Sequence, residues 1–494
     1  MNDRTRTDIT ASMLYDLDAC EHRPWMDLFA DQNARDAVSP FVELLWRRGR
    51  AHEEEAVAGV EILNLRTLPV GEREAATLEA MRNNVPLIYG GRISSGDLLG
   101  EPDLLRWEEG RYVPGDIKSG AGEEGPSEDR RPKRRYAVQL ALYVDILERL
   151  GLSAGRRAFV WDIHGDEVPY DLTIAKGKKT TETLWDDYQS SLLMIREILS
   201  GVRNPGPAYH GECKYCVWYS TCMAELARMD DLTLLPGLGK AKREPLLPFV
   251  KTSAELAAAP LERFLDNKGK SILRGIGADS IARFQARAAL KAAKGVPYLR
   301  APLVLPQSTV ELFFDIETDP MREQCYLHGF VERQHADDST ERYEGFFSVA
   351  PTADAERDAF AAAWDYLRRI GPCVVYIYSK YERTWWRVLQ RKYPDVCAAE
   401  DIERLFDPSV TVDLYEIVSE STEWPTNDHS IKTLAQYLGF EWRDPHPSGA
   451  ASIEWYDRHC RGDASAKGRI LEYNEDDCRA MRVLADALRS LDTH

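Results

Sequence analysis

Apolar and polar positions in this chain follow two periods, and the changes between them mark its elements. The segment Glu311-Leu-Phe-Phe-Asp-Ile-Glu-Thr-Asp319 runs apolar and then alternates, as a strand does on leaving a core. Residues two apart on a strand share a face, so Asp315 and Glu317 stand side by side. Leu87 to Lys118 reads as strands cut by Gly-rich turns, ending in Arg111-Tyr-Val-Pro-Gly-Asp-Ile-Lys118. A helix follows, with Gln139 and Tyr143 one turn apart. A hairpin, Arg157–Ile163 with Glu167–Ile174, turns at His164-Gly-Asp166. Period 3.6 predicts further helices: a short one from Ile9 to Cys20, one carrying His52, and a core helix from Thr183 to Leu199 stopped by Gly201. In the C-terminal third, the expected elements are an edge strand around Glu344–Val349, a helix over 354–369, a buried strand from Cys373 and a helix over 430–439 ending in Gly. Tyr473 and Asp477 lie four apart, on one helix face.

Strands alternating with helices predict an α/β multidomain chain. The 494 residues suit two to four domains. No apolar run reaches the roughly 18 residues of a membrane span. The N-terminus lacks the apolar core of a signal peptide, so a cytoplasmic protein without membrane contact is expected. The net charge of −18 disfavours indiscriminate nucleic-acid binding and directs attention to local basic tracks. One such track is plain. Between Leu232 and Arg300 there are 13 Lys or Arg against 5 Asp or Glu, a balance of +8. A second, from Ser127 to Arg135, holds Arg130, Arg131, Lys133, Arg134 and Arg135. It reads equally as a solvated loop or as a clamp on phosphates. The nine cysteines in a reducing compartment are ligands or buried thiols rather than disulfides. Cys325, Cys373, Cys397, Cys460 and Cys478 are scattered and read as core.

Adjacent carboxylates repel unless a cation sits between them, and hard oxygen ligands suit Mg²⁺ or Mn²⁺. Asp315 and Glu317, joined by Asp477 and the Tyr473 phenol, are the equipment of two-metal phosphodiester hydrolysis. Asp-Ile-Glu-Thr followed by Tyr-x-x-x-Asp resembles the first and last motifs of the DEDD, RNase H-like 3′–5′ exonucleases of the tyrosine subtype. The resemblance implies that Asp315, Glu317 and Asp477 hold metals and that Tyr473 orients the attacking water. That family's middle motif is usually Asn-x-x-x-Phe-Asp. Here Tyr376-Ile-Tyr-Ser-Lys-Tyr-Glu382 stands in its place, so Glu382 is the expected fourth carboxylate and Asp413 the reserve. Lys432 reads as solvated rather than phosphate-bound. Of Trp385, Trp386, Trp424 and Trp442, most read as core.

Asp103, followed by Asp116-x-Lys118, is a second constellation. Two carboxylates bind a metal, and the lysine polarises water or phosphate. With Gly-x-x-His-Glu upstream and Gln-x-x-x-Tyr downstream, it resembles the RecB-like branch of the PD-(D/E)XK nucleases. By that resemblance His52 is a further metal ligand, and Gln139 and Tyr143 support the site. Cys213-x₂-Cys216-x₅-Cys222 with remote Cys20 is similar to the iron–sulfur staple of that branch, implying a structural 4Fe-4S cluster. A Cys₄ zinc site is the competing reading.

Between these constellations, Leu235-Pro-Gly237-Leu-Gly239-Lys240 recurs as Leu273-Arg-Gly275-Ile-Gly277. Such turns point amides outward at a helix start and bind phosphate without reading sequence. The pair resembles helix-hairpin-helix elements, implying DNA contact through Gly237, Gly239, Lys240, Gly275 and Gly277. The expected domains are a nuclease at 1–229, a helix-hairpin-helix region at 230–300 and an exonuclease at 301–494. The whole order is similar to bacterial RecB-family nucleases, some of which are fused to a helicase. The expected activity is a DNA nuclease with two active sites, acting on single-stranded ends in repair, recombination or defence. A helicase, where needed, would be a separate partner. Two alternatives remain at this level: an RNA-processing nuclease, and a DNA-binding scaffold with one dead domain.

Overall fold

The computed structural model describes residues 7–125, 130–177 and 180–493. The chain forms two compact units. One comprises Met1–Pro207 with Gly211–Cys222, the other Ala208–His210 with Met223–His494.

The first unit is organised on a six-stranded sheet: β1 (Leu63–Asn64), β2 (Leu87–Tyr89), β3 (Leu104–Glu108), β4 (Arg111–Ile117), β5 (Arg157–Trp161) and β6 (Glu167–Asp171). Their spatial order is β6-β5-β4-β3-β2-β1. β3 and β4 form an antiparallel pair, and β5 runs parallel to β4. A parallel neighbour needs a crossover, which α1 (Arg134–Leu150) supplies. Its face of Ala137, Val138, Leu140, Ala141, Val144 and Leu147 is fully buried, and Gly151, at φ +73°, ends it. α2 (Leu184–Leu199) begins at a Thr183–Asp186 capping box and lies against α1. Gly115 on β4 has no room for a side chain. A Cβ there would stand 2.4 Å from the Phe159 ring.

The second unit contains a five-stranded sheet: β7 (Val310–Asp319), β8 (Gln324–Gln334), β9 (Asp337–Phe347), β10 (Val374–Ile377) and β11 (Thr411–Asp413). The order is β9-β8-β7-β10-β11, with the first three antiparallel and β10 and β11 parallel to β7. The predicted edge strand is β9. β8 was not foreseen. It carries Gly329, Glu332 and Arg333 yet is buried along nearly its whole length, because Arg333 is neutralised by Glu311 at 2.7 Å and by Asp486 and Asp338. Three helices stand where the sequence predicts them, α3 (Ala353–Ile370), α5 (Ile431–Tyr437) and the 27-residue α7 (Ala464–Ser490), while α4 (Tyr381–Lys392) and α6 (Gly449–Cys460) were not foreseen. α7 crosses the sheet so closely at Gly329 that a Cβ there would overlap Asn474.

Residues 232–300 belong to this second unit but keep a core of their own. Leu235 and Leu238 of the first Gly-containing turn pack with Leu273 and Ile276 of the second. The segment Tyr298–Leu299 then pairs with Thr422–Glu423. Among the described residues, no helix is long and apolar enough to cross a membrane.

Candidate active sites

β7 delivers Asp315 and Glu317 to one face, and its register shifts between Glu317 and Thr318. A bulge of this kind re-aims side chains at a strand end. α7 brings Asp477 and Tyr473 over that face, anchored by buried Ile470, Met481, Leu484 and Leu488. Ligand oxygens of Asp315, Glu317 and Asp477 all lie within 4.8 Å of one another. Among the described residues no other group of three or more acidic, histidine or cysteine side chains is this tight.

Each member is held by a neighbour. Asn474 Nδ2 donates to Asp315 Oδ2 at 2.7 Å, and the Tyr343 hydroxyl donates to Asn474 Oδ1 at 2.9 Å. The Trp442 indole donates to Asp477 Oδ1 at 2.7 Å. Lys432 Nζ donates to the Tyr473 hydroxyl at 2.9 Å and lies 3.4 Å from both Asp477 oxygens. The solvated lysine expected from the sequence is therefore a member of the centre. Trp442 is core by burial but functional by its N–H, whereas Trp386 and Trp424 are core alone.

Burial, and then the charge of Asp477, push the Asp315 carboxyl well above its usual range; Lys432 and Asn474 oppose this. Burial followed by Asp315 and Asp477 does the same to Glu317. Burial raises the Tyr473 phenol, so it keeps its proton. Glu382 is buried at the start of α4, with one carboxylate oxygen unpartnered. Burial, and then the charge of Asp315, raise its pKa; its oxygens stand outside the group drawn within 4.8 Å. The reserve, Asp413, is otherwise engaged. Its Oδ1 accepts amide hydrogens from Ser379, Tyr415 and Glu416. Three desolvated carboxylates with one ammonium would be balanced by a divalent cation, and an all-oxygen donor set with a phenol fits Mg²⁺ or Mn²⁺.

In the first unit, Asp116 and Lys118 share a face at the end of β4. Lys118 Nζ lies 2.8 Å from Asp116 Oδ2 and donates to Gln139 Oε1 at 3.1 Å. Burial works against charge on Lys118, but Asp116 and Asp103 outweigh it and hold the ammonium above its ordinary range. Asp103 Oδ2 accepts the Ile117 amide at 2.9 Å. Burial, then Asp116, push the Asp103 carboxyl up to about 8, against Lys118. Tyr143 lies buried on the same helix as Gln139, with its hydroxyl 3.4 Å from the Glu101 carbonyl. His52 Nε2 is buried without a hydrogen-bond partner, and among the described residues His52 does not close with Asp103 and Asp116 into a group within 4.8 Å. One residue escaped the sequence reading. Arg66 donates to Asp103 Oδ1 at 2.7 Å and to Glu53 at 2.9 Å. Glu53 was visible as the neighbour of His52; Arg66 carried no signal. Arg66 passes over Gly90, where a Cβ would stand 2.3 Å from its Cγ.

A family model described as the PD-(D/E)XK nuclease superfamily matches residues 7–223, and one described as the RNase H superfamily matches 312–489. The chain carries two nuclease-superfamily domains. No curated protein matches it. The PD-(D/E)XK match spans Asp103, Asp116 and Lys118, and the RNase H match spans Asp315, Glu317 and Asp477. Each match falls on the unit that holds the corresponding candidate centre. Together they support a metal-dependent, hydrolytic nuclease acting on nucleic acid.

In the PD-(D/E)XK domain the cysteines bracket the fold. Cys20 follows the helix Ala11–Ala19, and the 211–222 segment is sewn to residues 27–36. The Trp218 indole donates to Asp27 at 2.8 Å, the Asp36 amide to the Val217 carbonyl at 2.8 Å, and the Ser220 amide to Asp36 at 2.9 Å. Cys20 acts electrostatically on Cys216. The second basic track is partly occupied: Arg134 pairs with Asp18 and Asp187, and Arg135 with Asp18 and Glu212. Residues 126–129 of that track lie outside the described residues.

The raised carboxyl of Asp103 has a consequence for stability. Folded Asp103 binds its proton more tightly than the unfolded chain does, so the folded state is penalised as pH rises from about 4 to about 8. In chelator, the melting temperature is expected to fall over that window. Asp103→Asn should flatten the fall, and Mn²⁺ should raise the wild-type melting temperature more at pH 8 than at pH 5. Thermal denaturation at the two pH values checks both.

Proposed function

We propose that the chain is a deoxyribonuclease with two working centres, the C-terminal one a 3′–5′ exonuclease that trims single-stranded ends in DNA repair, recombination or defence. The approach of Asp315, Glu317 and Asp477 beneath a Lys432-held Tyr473 carries this reading. Asp315, Glu317, Asp477 and Glu382 would hold Mg²⁺ or Mn²⁺, which supplies an activated water and offsets charge on the phosphoryl group. Tyr473, still protonated, orients that water by its hydroxyl. Lys432 fixes the phenol and adds positive charge where the phosphate becomes more negative. Asn474 fixes Asp315, and Trp442 fixes Asp477, so the donor set is pre-formed. In the N-terminal centre, His52, Asp103 and Asp116 are the proposed ligands. Lys118, steered by Gln139, faces the water and phosphate; Tyr143 backs the site.

The test is a time course on end-labelled strands with Mn²⁺ or Mg²⁺, using anaerobically purified protein. A ladder shortening from the 3′ end of DNA supports the exonuclease. A ladder on RNA alone moves the assignment to RNA processing. Strand binding without cleavage leaves a scaffold.

The cysteine set is proposed to hold a 4Fe-4S cluster that ties residue 20 to the end of the domain. Anaerobic protein should contain iron and sulfide in equal amounts. Cys20→Ser should lose both and become protease-sensitive between the N-terminus and residue 222. Zinc without iron would overturn the cluster.

A further inference from the structure

A cleft of about 820 Å³ lies between the first Gly-containing turn and the RNase H fold, entirely within the second unit. One wall is Pro236, Gly237, Gly239 and Lys242; the other is Tyr378, Tyr415 and residues 427–430. The walls are bolted together. Arg287 donates to Glu423 and to the Pro236 carbonyl, each at 2.6 Å, and Arg283 reaches Glu423 at 3.2 Å. Glu423 is 1% exposed. These arginines are struts, with their charge spent on protein.

What faces the cleft is different in kind. Gly237 and Gly239, at φ +76° and +60°, form the turn that opens the helix Gly239–Leu246. Lys242 Nζ sits on that turn, 2.7 Å from the Gly237 carbonyl. Outward amides beside an ammonium suit a phosphodiester. Across the cleft, Tyr415 is 44% exposed and stands edge-on to Tyr378 with ring centroids 5.6 Å apart, a platform for one base. His429 and Ser419 also line the cleft, with their Nε2 and Oγ atoms turned into the protein. The carboxylate in the lining, Asp428, is held by the Ser430 amide at 2.9 Å.

Both sides of the RNase H wall run directly into the catalytic centre. Tyr378 and Ser379 lead into the helix that carries Glu382. Ser430 caps the helix that carries Lys432. We infer that this cleft is the approach channel of the exonuclease: one DNA strand lies in it, a phosphate on the Gly237–Gly239 turn and a base on Tyr415, with its 3′ end at Asp315. The volume admits a few nucleotides of one strand and no duplex, being that of a drug-sized site. The helix-hairpin-helix region thereby serves the C-terminal centre, giving it a preference for strands over mononucleotide esters. The inference rests on the exonuclease reading above.

The test compares hydrolysis of a long DNA strand with that of thymidine 5′-monophosphate p-nitrophenyl ester, which is too short to reach the turn. In the Lys242→Glu, Tyr415→Ala double variant, the preference for the strand over the ester should fall about tenfold or more, as for loss of one stacked base and one phosphate contact. An unchanged preference overturns the channel while leaving the exonuclease standing. Hydrolysis of neither substrate by wild type overturns the exonuclease reading, and the channel with it. A binding measurement guards against misfolding of the variant. DNA carrying 5-iodouracil near its 3′ end is photo-crosslinked to the full chain bearing Asp315→Asn, and adducts are mapped by mass spectrometry. Adducts at Tyr378 or Tyr415 are expected; adducts confined to other surfaces overturn the channel.

Discussion

Asp315→Asn is expected to abolish shortening of single-stranded DNA from its 3′ end, by about three orders of magnitude or more. The substitution keeps the shape of the side chain and an oxygen to accept the Asn474 amide. It removes one negative charge from a trio whose ligand oxygens lie within 4.8 Å of one another. The loss therefore reports on cation binding rather than on folding. A second readout separates the two. Without metal, wild type suffers repulsion among Asp315, Glu317 and Asp477 in a desolvated setting, so the asparagine variant should melt higher than wild type in chelator at pH 8. Adding Mn²⁺ should reverse the order, since only wild type gains the full ion-binding energy. Calorimetric titration with Mn²⁺ checks the same point directly. If Asp315→Asn trims strands like wild type, the RNase H domain is a binding module and the proposed activity fails.

The second large effect concerns the other centre. In protein already carrying Asp315→Asn, cleavage that remains belongs to the PD-(D/E)XK domain. Lys118→Ala is expected to lower it by roughly 10²–10⁴-fold, the range for a positioned group acting on the reacting atoms. Lys118 touches Asp116 at 2.8 Å and Gln139 at 3.1 Å, and its removal leaves two buried carboxylates with less compensation. Gln139→Ala should cost less, because Gln139 acts by aiming Lys118. Product analysis on labelled DNA, circular and linear, would also reveal whether this centre needs an end. Equal cleavage with and without Lys118 would show that the N-terminal site is silent.

The elements and the first layer of chemistry were legible without a structure because they are local. Period two put Asp315 beside Glu317 and Asp116 beside Lys118. Period 3.6 put Tyr473 beneath Asp477 and Gln139 beside Tyr143. These spacings survive because backbone geometry alone fixes which side chains share a face. The strand Gln324–Gln334 escaped the same reading. Its polar residues look solvent-facing until Arg333 meets Glu311 and Asp486 across the fold.

Partnerships between distant segments were decided only by tertiary structure. Lys432 looked solvated on its own helix; the crossing of that helix with α7 places it on Tyr473 and Asp477. Trp442 became a donor to Asp477, and Arg66 a partner of Asp103, for the same reason. Glu382 and Asp413 differ in hydrogen bonding in a way that no motif encodes. Backbone amides engage one oxygen of Asp413, whereas Glu382 is buried with an oxygen unpartnered. The attachment of the +8 stretch over 232–300 to the RNase H fold rests likewise on Glu423, whose buried charge only folding could bring to Arg283 and Arg287. The sequence by itself determined which carboxylates, lysines and glycines point together along each strand or turn. Folding determined which of those sets meet, because a buried charge settles wherever a distant partner can neutralise it.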